Sequence, residues 1–203
     1  MPKVVDHEQY RKEMLCKCFD LFASKSYGSI TMREIAQGLN VSTGTLYHYF
    51  PSKQALFEQL VEEISQQDVI AALAEMSGVA TIEEAMSALG RYLVKNEDYF
   101  IKWTYIWVDF CQHQDINEVR NNNVFKRANR NYKQAVCELL NIQDPAIVSF
   151  VLSLVNGLIL EKLWCNETID FVEQCNLLGK MITAYLDQQE GVRKREKEVS
   201  QRN

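Results

Sequence analysis

The side chains best suited to chemistry in this chain gather in one short stretch, where Ser42, Thr43, Thr45, Tyr47, His48, Tyr49 and Lys53 follow one another with Gly44 among them. Short hydroxyl side chains can bond the edges of nucleobases, a threonine methyl can touch a thymine methyl, and tyrosine, histidine and lysine can reach phosphate oxygens. These residues do not make a catalytic set. The three histidines, His7, His48 and His113, fall on separate segments without metal-ligand spacing, and neither a glycine-rich phosphate loop nor a nucleophile elbow occurs. No metal, no cofactor and no catalysis are expected; a helical enzyme acting on a small molecule is the rival of another class. Cys111 and Cys137 are the residues a thiol sensor would use, but nothing in their flanks lowers a thiol pKa.

The elements that must position this stretch are helices. Asp6 with Gln9, Thr31 with Glu34, Thr81 with Glu84 and Asp115 with Glu118 have capping-box spacing, Ser42 caps a short helix, Asp144 precedes a proline at a first helical position, and Thr168 can cap the last helix. Apolar residues recur at helical spacing as Met14, Leu15, Cys18, Phe19 and Phe22, and again as Leu56, Phe57, Leu60, Val61 and Ile64. The spacing predicts nine helices, near 7–26, 32–38, 43–49, 53–75, 82–96, 98–113, 116–140, 145–165 and 169–189, with Gly28 and Gly191 as stops. No segment alternates with period two. With 8 Gly and 3 Pro in 203 residues the fold class is all-α.

Charge is segregated along the chain. Residues 1–55 carry seven Lys or Arg against five Asp or Glu, a net of +2, and the remainder carries fifteen against twenty-two, a net of −7. The overall −5 therefore does not exclude a partner as acidic as a nucleic acid. No secretory signal pattern and no run of about 18 uninterrupted apolar residues is present. The expected compartment is the cytoplasm, with the six cysteines reduced and no membrane partner. Cys16 and Cys18 point to opposite sides of a helix and cannot bridge.

Two short helices joined by a tight turn at Gly38-Leu39-Asn40-Val41 make a helix-turn-helix pattern, Asn40 tolerating the left-handed backbone that the turn needs. Ile35, Ala36, Leu39, Val41 and Leu46 face inward, leaving Thr43, Gly44, Thr45, Tyr47 and His48 to face out. Lys53 in the first turn of the fourth helix suits a phosphate, which would satisfy both the ammonium and the helix end; alone it would be a solvated charge.

The run Thr31-Met32-Arg33-Glu34-Ile35-Ala36, then Val41-Ser42-Thr43-Gly44-Thr45-Leu46-Tyr47-His48-Tyr49-Phe50-Pro51-Ser52-Lys53-Gln54-Ala55-Leu56, resembles the DNA-binding signature of the TetR (tetracycline repressor) family of bacterial transcription regulators. The likeness covers about 10–60, and beyond it only the helical layout and Asn156-Gly157-Leu158 agree. Asn40 stands where the family most often has glycine. The resemblance implies a homodimeric repressor that binds a near-palindromic operator in double-stranded DNA and is released by a small-molecule effector. An activator, or a regulator without a ligand, would carry the same head. It also implies that Arg33, Thr43, Gly44, Thr45, Tyr47 and Tyr49 face the DNA, that Lys53 clamps a phosphate and that His48 sits at the edge of the contact. Phe50 reads as core, and Tyr49 can be either.

The organisation expected is a reading head over 1–52 with the start of a connecting helix at 53–75, a dimerising and effector-binding body over 76–190, and a flexible charged tail over 191–203. Trp103, Trp107, Asp109 and Phe110 lie in the densest aromatic segment and are candidates for an effector pocket, with core packing as the alternative. The broad apolar faces of the last two helices offer Phe150, Val151, Leu154, Leu158, Leu178, Met181, Ile182 and Tyr185 for a four-helix dimer interface, or for the core, or for both.

Overall fold

The computed structural model describes residues 6–164 and 169–200 and, among them, contains helices and no strand. In chain order these are α1 (His7–Lys25), α2 (Met32–Gly38), α3 (Thr43–Tyr49), α4 (Lys53–Glu75), α5 (Ile82–Lys95), α6 (Glu97–Gln112), α7 (Ile116–Asn121), α8 (Asn123–Leu140), α9 (Pro145–Lys162) and α10 (Phe171–Ser200). The all-α class holds. One expected helix, 116–140, is instead two. Asn122 leaves helical geometry at ψ 125°, and its side-chain oxygen accepts from the backbone of Val124 and Phe125, so that it caps α8 while ending α7.

Most of the helix starts follow the sequence signals. Thr31 with Glu34 and Thr81 with Glu84 form reciprocal capping boxes, and Asp6, Ser42, Asp115 and Asp144 accept backbone N–H groups of their first turns. Thr168 lies outside the described residues; Asp170 accepts from Val172 and Glu173 at the start of α10. Two expected stops are corrected. Ser26, with φ 68°, ends α1 two residues before Gly28. At the other end α10 runs through Gly191 to Ser200, so 191–200 is helix rather than a loose tail. Lys, Arg and Glu are good helix formers, and a single glycine in a helix costs only about 1 kcal/mol.

The chain folds into two compact units, each assembled from separate segments. One comprises the N-terminal residues to Ile70 with Asp98–Tyr132; the other comprises Ala71–Glu97 with the chain from Lys133 onward. Helix α6 from Asp98 onward, α7 and the first half of α8 thus belong with the N-terminal helices, and α4 and α8 each run from one unit into the other.

In the first unit α1, α2, α3, α4, α6 and α8 share one core built on Leu15, Phe22, Ile35, Leu46, Phe50, Phe57 and Phe110. Buried thiols sit in both units. Burial pushes Cys18 up to about 12 and Cys175 up to about 11, and raises Cys111, so these sulfurs stay as thiols.

In the second unit α10 lies along α5, and glycine makes the approach possible. A Cβ at Gly90 would stand 2.8 Å from the Cα of Val172 and 3.0 Å from the carbonyl oxygen of Phe171. Both are backbone atoms, which cannot swing aside. Gly90→Ala is therefore expected to destabilise this unit by ~1–3 kcal/mol, the usual cost of overpacking. Chemical unfolding followed by far-UV circular dichroism reads it; a loss below about 0.5 kcal/mol would show that the two helices are not tightly apposed.

Candidate nucleic-acid interface

Seven-residue α2 and α3 meet through a turn whose geometry is fixed locally. Asn40 adopts φ 57°, the N–H of Val41 donates to the carbonyl of Ala36, and the Ser42 hydroxyl accepts from Thr45 N at 2.9 Å. Beneath the pair, Ile35, Ala36, Leu39 and Leu46 are buried and Val41 is half-buried. That anchoring decides which side of α3 faces outward.

Thr43, Gly44, Tyr47 and His48 are exposed, Tyr47 with 51% of its surface open to solvent. Arg33 is exposed on α2. A Cβ at Gly44 would meet only the Ser42 Oγ at 3.7 Å, an ordinary contact, so nothing inside the protein demands glycine there.

The remaining three expected readers are placed differently. Thr45 is half-buried, and its hydroxyl pairs with that of Ser42 at 2.8 Å. Tyr49 is half-buried with its ring edge-on to Tyr10 and His48, and its hydroxyl meets His7 Nδ1 at 2.7 Å. It holds the start of α1 against the end of α3.

Lys53 is drawn inward. Its ammonium donates to the carbonyls of Tyr27 at 2.7 Å and Ile30 at 2.9 Å and lies 4.5 Å from the centre of the Tyr27 ring. Burial lowers its pKa, and the charge of Asp109 opposes that shift. An ammonium has three donors, and two of them tie α4 to the α1–α2 loop.

The same loop explains Asp109. Its Oδ2 accepts the Tyr27 N–H and the Ser26 hydroxyl, the latter at 3.0 Å, which supports the left-handed backbone of Ser26. His113, one turn on, has Nδ1 2.8 Å from the Asp109 carbonyl oxygen and its ring against Gly28, where any Cβ would collide with the imidazole. Asp109 thus faces the loop of the reading head. Sequence reasoning missed this because the two ends of the contact are some eighty residues apart.

Of the other expected pocket residues, Phe110 lies in the aromatic core of the same unit and Trp103 and Trp107 pack against it. Phe110 stacks on Phe57 at 4.0 Å, Trp107 meets Phe125 edge-on at 4.9 Å, and Trp103 stacks on Phe57 at 6.1 Å. Phe110 is buried, whereas Trp103 and Trp107 are half-buried. A residue outside the expected set, Asp68 on α4, is held by the hydroxyls of Tyr99 and Tyr132 at 2.6 and 2.8 Å. Its signal in the sequence is register: it continues the inward stripe Phe57, Leu60, Val61, Ile64 by one more turn.

Of the expected interface residues in the second unit, Val151, Leu158, Leu178 and Ile182 are buried within the protomer and Leu154 is half-buried. Phe150, Met181 and Tyr185 are 51%, 52% and 46% exposed. Leu177 joins them at 52%, and Leu177, Met181 and Tyr185 follow one another at four-residue spacing along α10.

Comparison with known proteins agrees with the head. Residues 19–60 match the family model described as bacterial regulatory proteins, tetR family. The chain is 29% identical over 121 residues to the HTH-type transcriptional regulator BetI of Rhizobium meliloti (strain 1021), covering 59% of this chain and 60% of that protein. It is 33% identical over 90 residues to the HTH-type transcriptional repressor Rv1474c of Mycobacterium tuberculosis, covering 43% and 47%. These alignments thus span about half of the curated relatives' length.

Among solved structures, a tetR-family transcriptional regulator from Streptomyces coelicolor matches with TM-score 0.67 at 20% identity, covering 93% of this chain and 87% of that one. The transcriptional regulator FadR of Bacillus subtilis, solved in complex with stearoyl-CoA, matches with TM-score 0.65 at 16% identity over 85% and 96%. At such identities the likeness is one of fold. The matched segment 19–60 holds the turn, the buried anchor of α3 and its exposed face together, and over this segment the chain is similar to the tetR family of bacterial regulatory proteins.

Proposed function

We propose that the protein is a sequence-specific DNA-binding transcriptional regulator that acts in the cytoplasm as a homodimeric repressor, released from a near-palindromic operator by a small-molecule effector. The observation that carries the DNA half is the outward face of α3, with Thr43, Gly44, Tyr47 and His48 exposed above a buried Leu46. A helix so mounted can enter a major groove with its N-terminal residues toward the bases. A phosphate beside the start of α4 would take the third donor of Lys53, and Arg33 can reach the backbone or groove edge.

Two copies would set two such helices about 34–36 Å apart, on successive major-groove faces. The exposed stripe of Leu177, Met181 and Tyr185 with Phe150 supports a second copy as its cover. So does Gly157 on α9, where a Cβ would meet nothing in the protomer, leaving room for a partner helix. Of the described helices α9 alone is long and apolar enough to cross a membrane by length and composition, with 28% of it buried. Its flanking partner α10 presents the same kind of face, which fits a four-helix interface better than lipid. The effector half draws on the fold neighbour solved with stearoyl-CoA, which supports a small molecule as the class of ligand.

Selection of binding sites from random DNA, followed by titration of the recovered operator, tests the reading. Thr43→Ala is expected to relax base preference at one position by ~1–3 kcal/mol. Lys53→Gln is expected to weaken all sequences about equally and to lower the salt slope by about one ion. A thermal melt of each variant separates loss of the loop contacts at Tyr27 and Ile30 from loss of the phosphate contact. Recovery of no enriched sequence would overturn the proposal.

A further inference from the structure

Asp68 is a half-buried carboxyl group on α4, one turn beyond buried Ile64. Both of its oxygens are engaged from other helices, Oδ1 by the Tyr99 hydroxyl of α6 at 2.6 Å and Oδ2 by the Tyr132 hydroxyl of α8 at 2.8 Å. Among the described residues no lysine, arginine or histidine forms an ion pair with it. Burial raises its pKa and the two phenols offset this only in part. Behind the Tyr99 phenol lie further aromatic rings: Tyr99 stacks on Phe19 at 5.4 Å and meets Phe100 edge-on at 5.2 Å, and Trp103, one turn further along α6, is 6.3 Å from Phe19.

An ionisable group held in low dielectric by neutral donors alone is a poor packing element, because an apolar residue of similar volume would avoid the desolvation cost. It is a good receptor for a positive charge. The carboxylate would gain its missing counter-ion, and the faces of neighbouring aromatic rings attract cations within about 6 Å. A divalent metal fits badly, since one carboxylate and two phenols fall short of the oxygen set such ions require. An anion would be repelled.

We infer that Asp68, Tyr99 and Tyr132 form the recognition point for a small organic cation, an amine or quaternary ammonium on an apolar body, bound between α4, α6 and α8. This rests on the reading of the chain as an effector-controlled regulator and names the chemical class of the effector. The ammonium group takes the carboxylate, displacing at least one phenol, and the apolar body lies against the rings of Phe19 and Trp103.

The test is a titration of the full-length protein, read by tryptophan fluorescence, with benzyltrimethylammonium and with phenylacetate, which carries a similar ring with a negative head. The cation is expected to quench saturably and to bind at least tenfold more tightly than the anion; Asp68→Asn should remove that preference. Equal binding of the two probes, no saturable response to the cation up to millimolar concentration, or an undiminished preference in Asp68→Asn overturns the inference. If Asp68→Asn does not fold, Tyr132→Phe decides: it keeps the carboxylate and removes a competing donor, so the cation should bind at least threefold more tightly, and unchanged or weaker binding counts against the site. Operator binding is measured separately without either probe. Sequence-specific DNA binding with no cation binding defeats this inference alone, and cation binding with no operator defeats the regulator reading alone.

Discussion

Replacing Phe57 by alanine is expected to cost about 3–5 kcal/mol of stability, the range for deleting a large aromatic side chain from a packed core. Phe57 is fully buried on α4 and is the residue on which the first unit converges. Phe110 of α6 stacks on it at 4.0 Å with the rings 12° from parallel, while Phe22 of α1 and Tyr27 of the α1–α2 loop meet it edge-on at 5.8 and 5.3 Å. Trp103 and Trp107 stack on it at 6.1 Å each. Its loss leaves a cavity walled by rings from three other segments, which cannot all collapse inward.

In a chain of this size such a loss lowers the Tm by on the order of 10 °C. Tryptophan fluorescence during a thermal melt follows it directly, since Trp103 and Trp107 line the same cluster. Phe57→Leu keeps most of the volume and should cost less than about 1.5 kcal/mol. A Phe57→Ala protein within 1 kcal/mol of the parent would mean that the aromatic cluster is not the core of this unit.

The consequence extends to the reading head through Tyr27. That residue packs on Phe57 with its ring, receives Lys53 at its carbonyl and gives its N–H to Asp109. The α1–α2 loop is therefore held from α4 and α6 at once, and a change in the spacing of those two helices must strain it.

What the sequence made legible were features whose cause is local. The two capping boxes, the proline behind Asp144 and the left-handed Asn40 each follow from residues no more than a few positions apart, and the inward face of α2 and α3 follows from helical period alone. The exposed part of the candidate interface was readable for the same reason: once Leu46 is inside, Thr43, Tyr47 and His48 must be outside.

What remained hidden depends on distant partners. Ser26 takes a positive φ because Asp109 holds its hydroxyl, and no local pattern announces that. Lys53 looks like a free charge until the carbonyls of Tyr27 and Ile30 are brought beside it. Asn122 breaks a helix from within a run of three asparagines, where any of the three has the side chain to do so; the one chosen also donates to Glu58 of α4 at 2.7 Å. Asp68 follows Ser65, Gln66 and Gln67 and looks like one more polar surface residue, although its register already pointed inward.

Placing a charge on each exposed helix face, with Phe150→Glu and Met181→Glu in one protein, is expected to convert the proposed dimer to a monomer and to weaken operator binding by at least a hundredfold. Both residues are about half open to solvent in the protomer, at 51% and 52%, so the fold can accept glutamate there. In a two-fold interface each substitution appears twice, and four carboxylates buried without partners cost several kcal/mol. Loss of the dimer unlinks the two heads. A bound head no longer holds its twin near the second half-site at an effective concentration of the order of millimolar, and the affinity falls toward that of a single half-site. Light scattering on a sizing column gives the mass, and operator titration at fixed salt gives the affinity. Far-UV circular dichroism should be unchanged, because the buried neighbours Val151, Leu178 and Ile182 hold α9 and α10 within the protomer. A variant that stays dimeric would place the interface elsewhere; one that becomes monomeric yet binds the operator as the parent does would show that each head reads DNA alone.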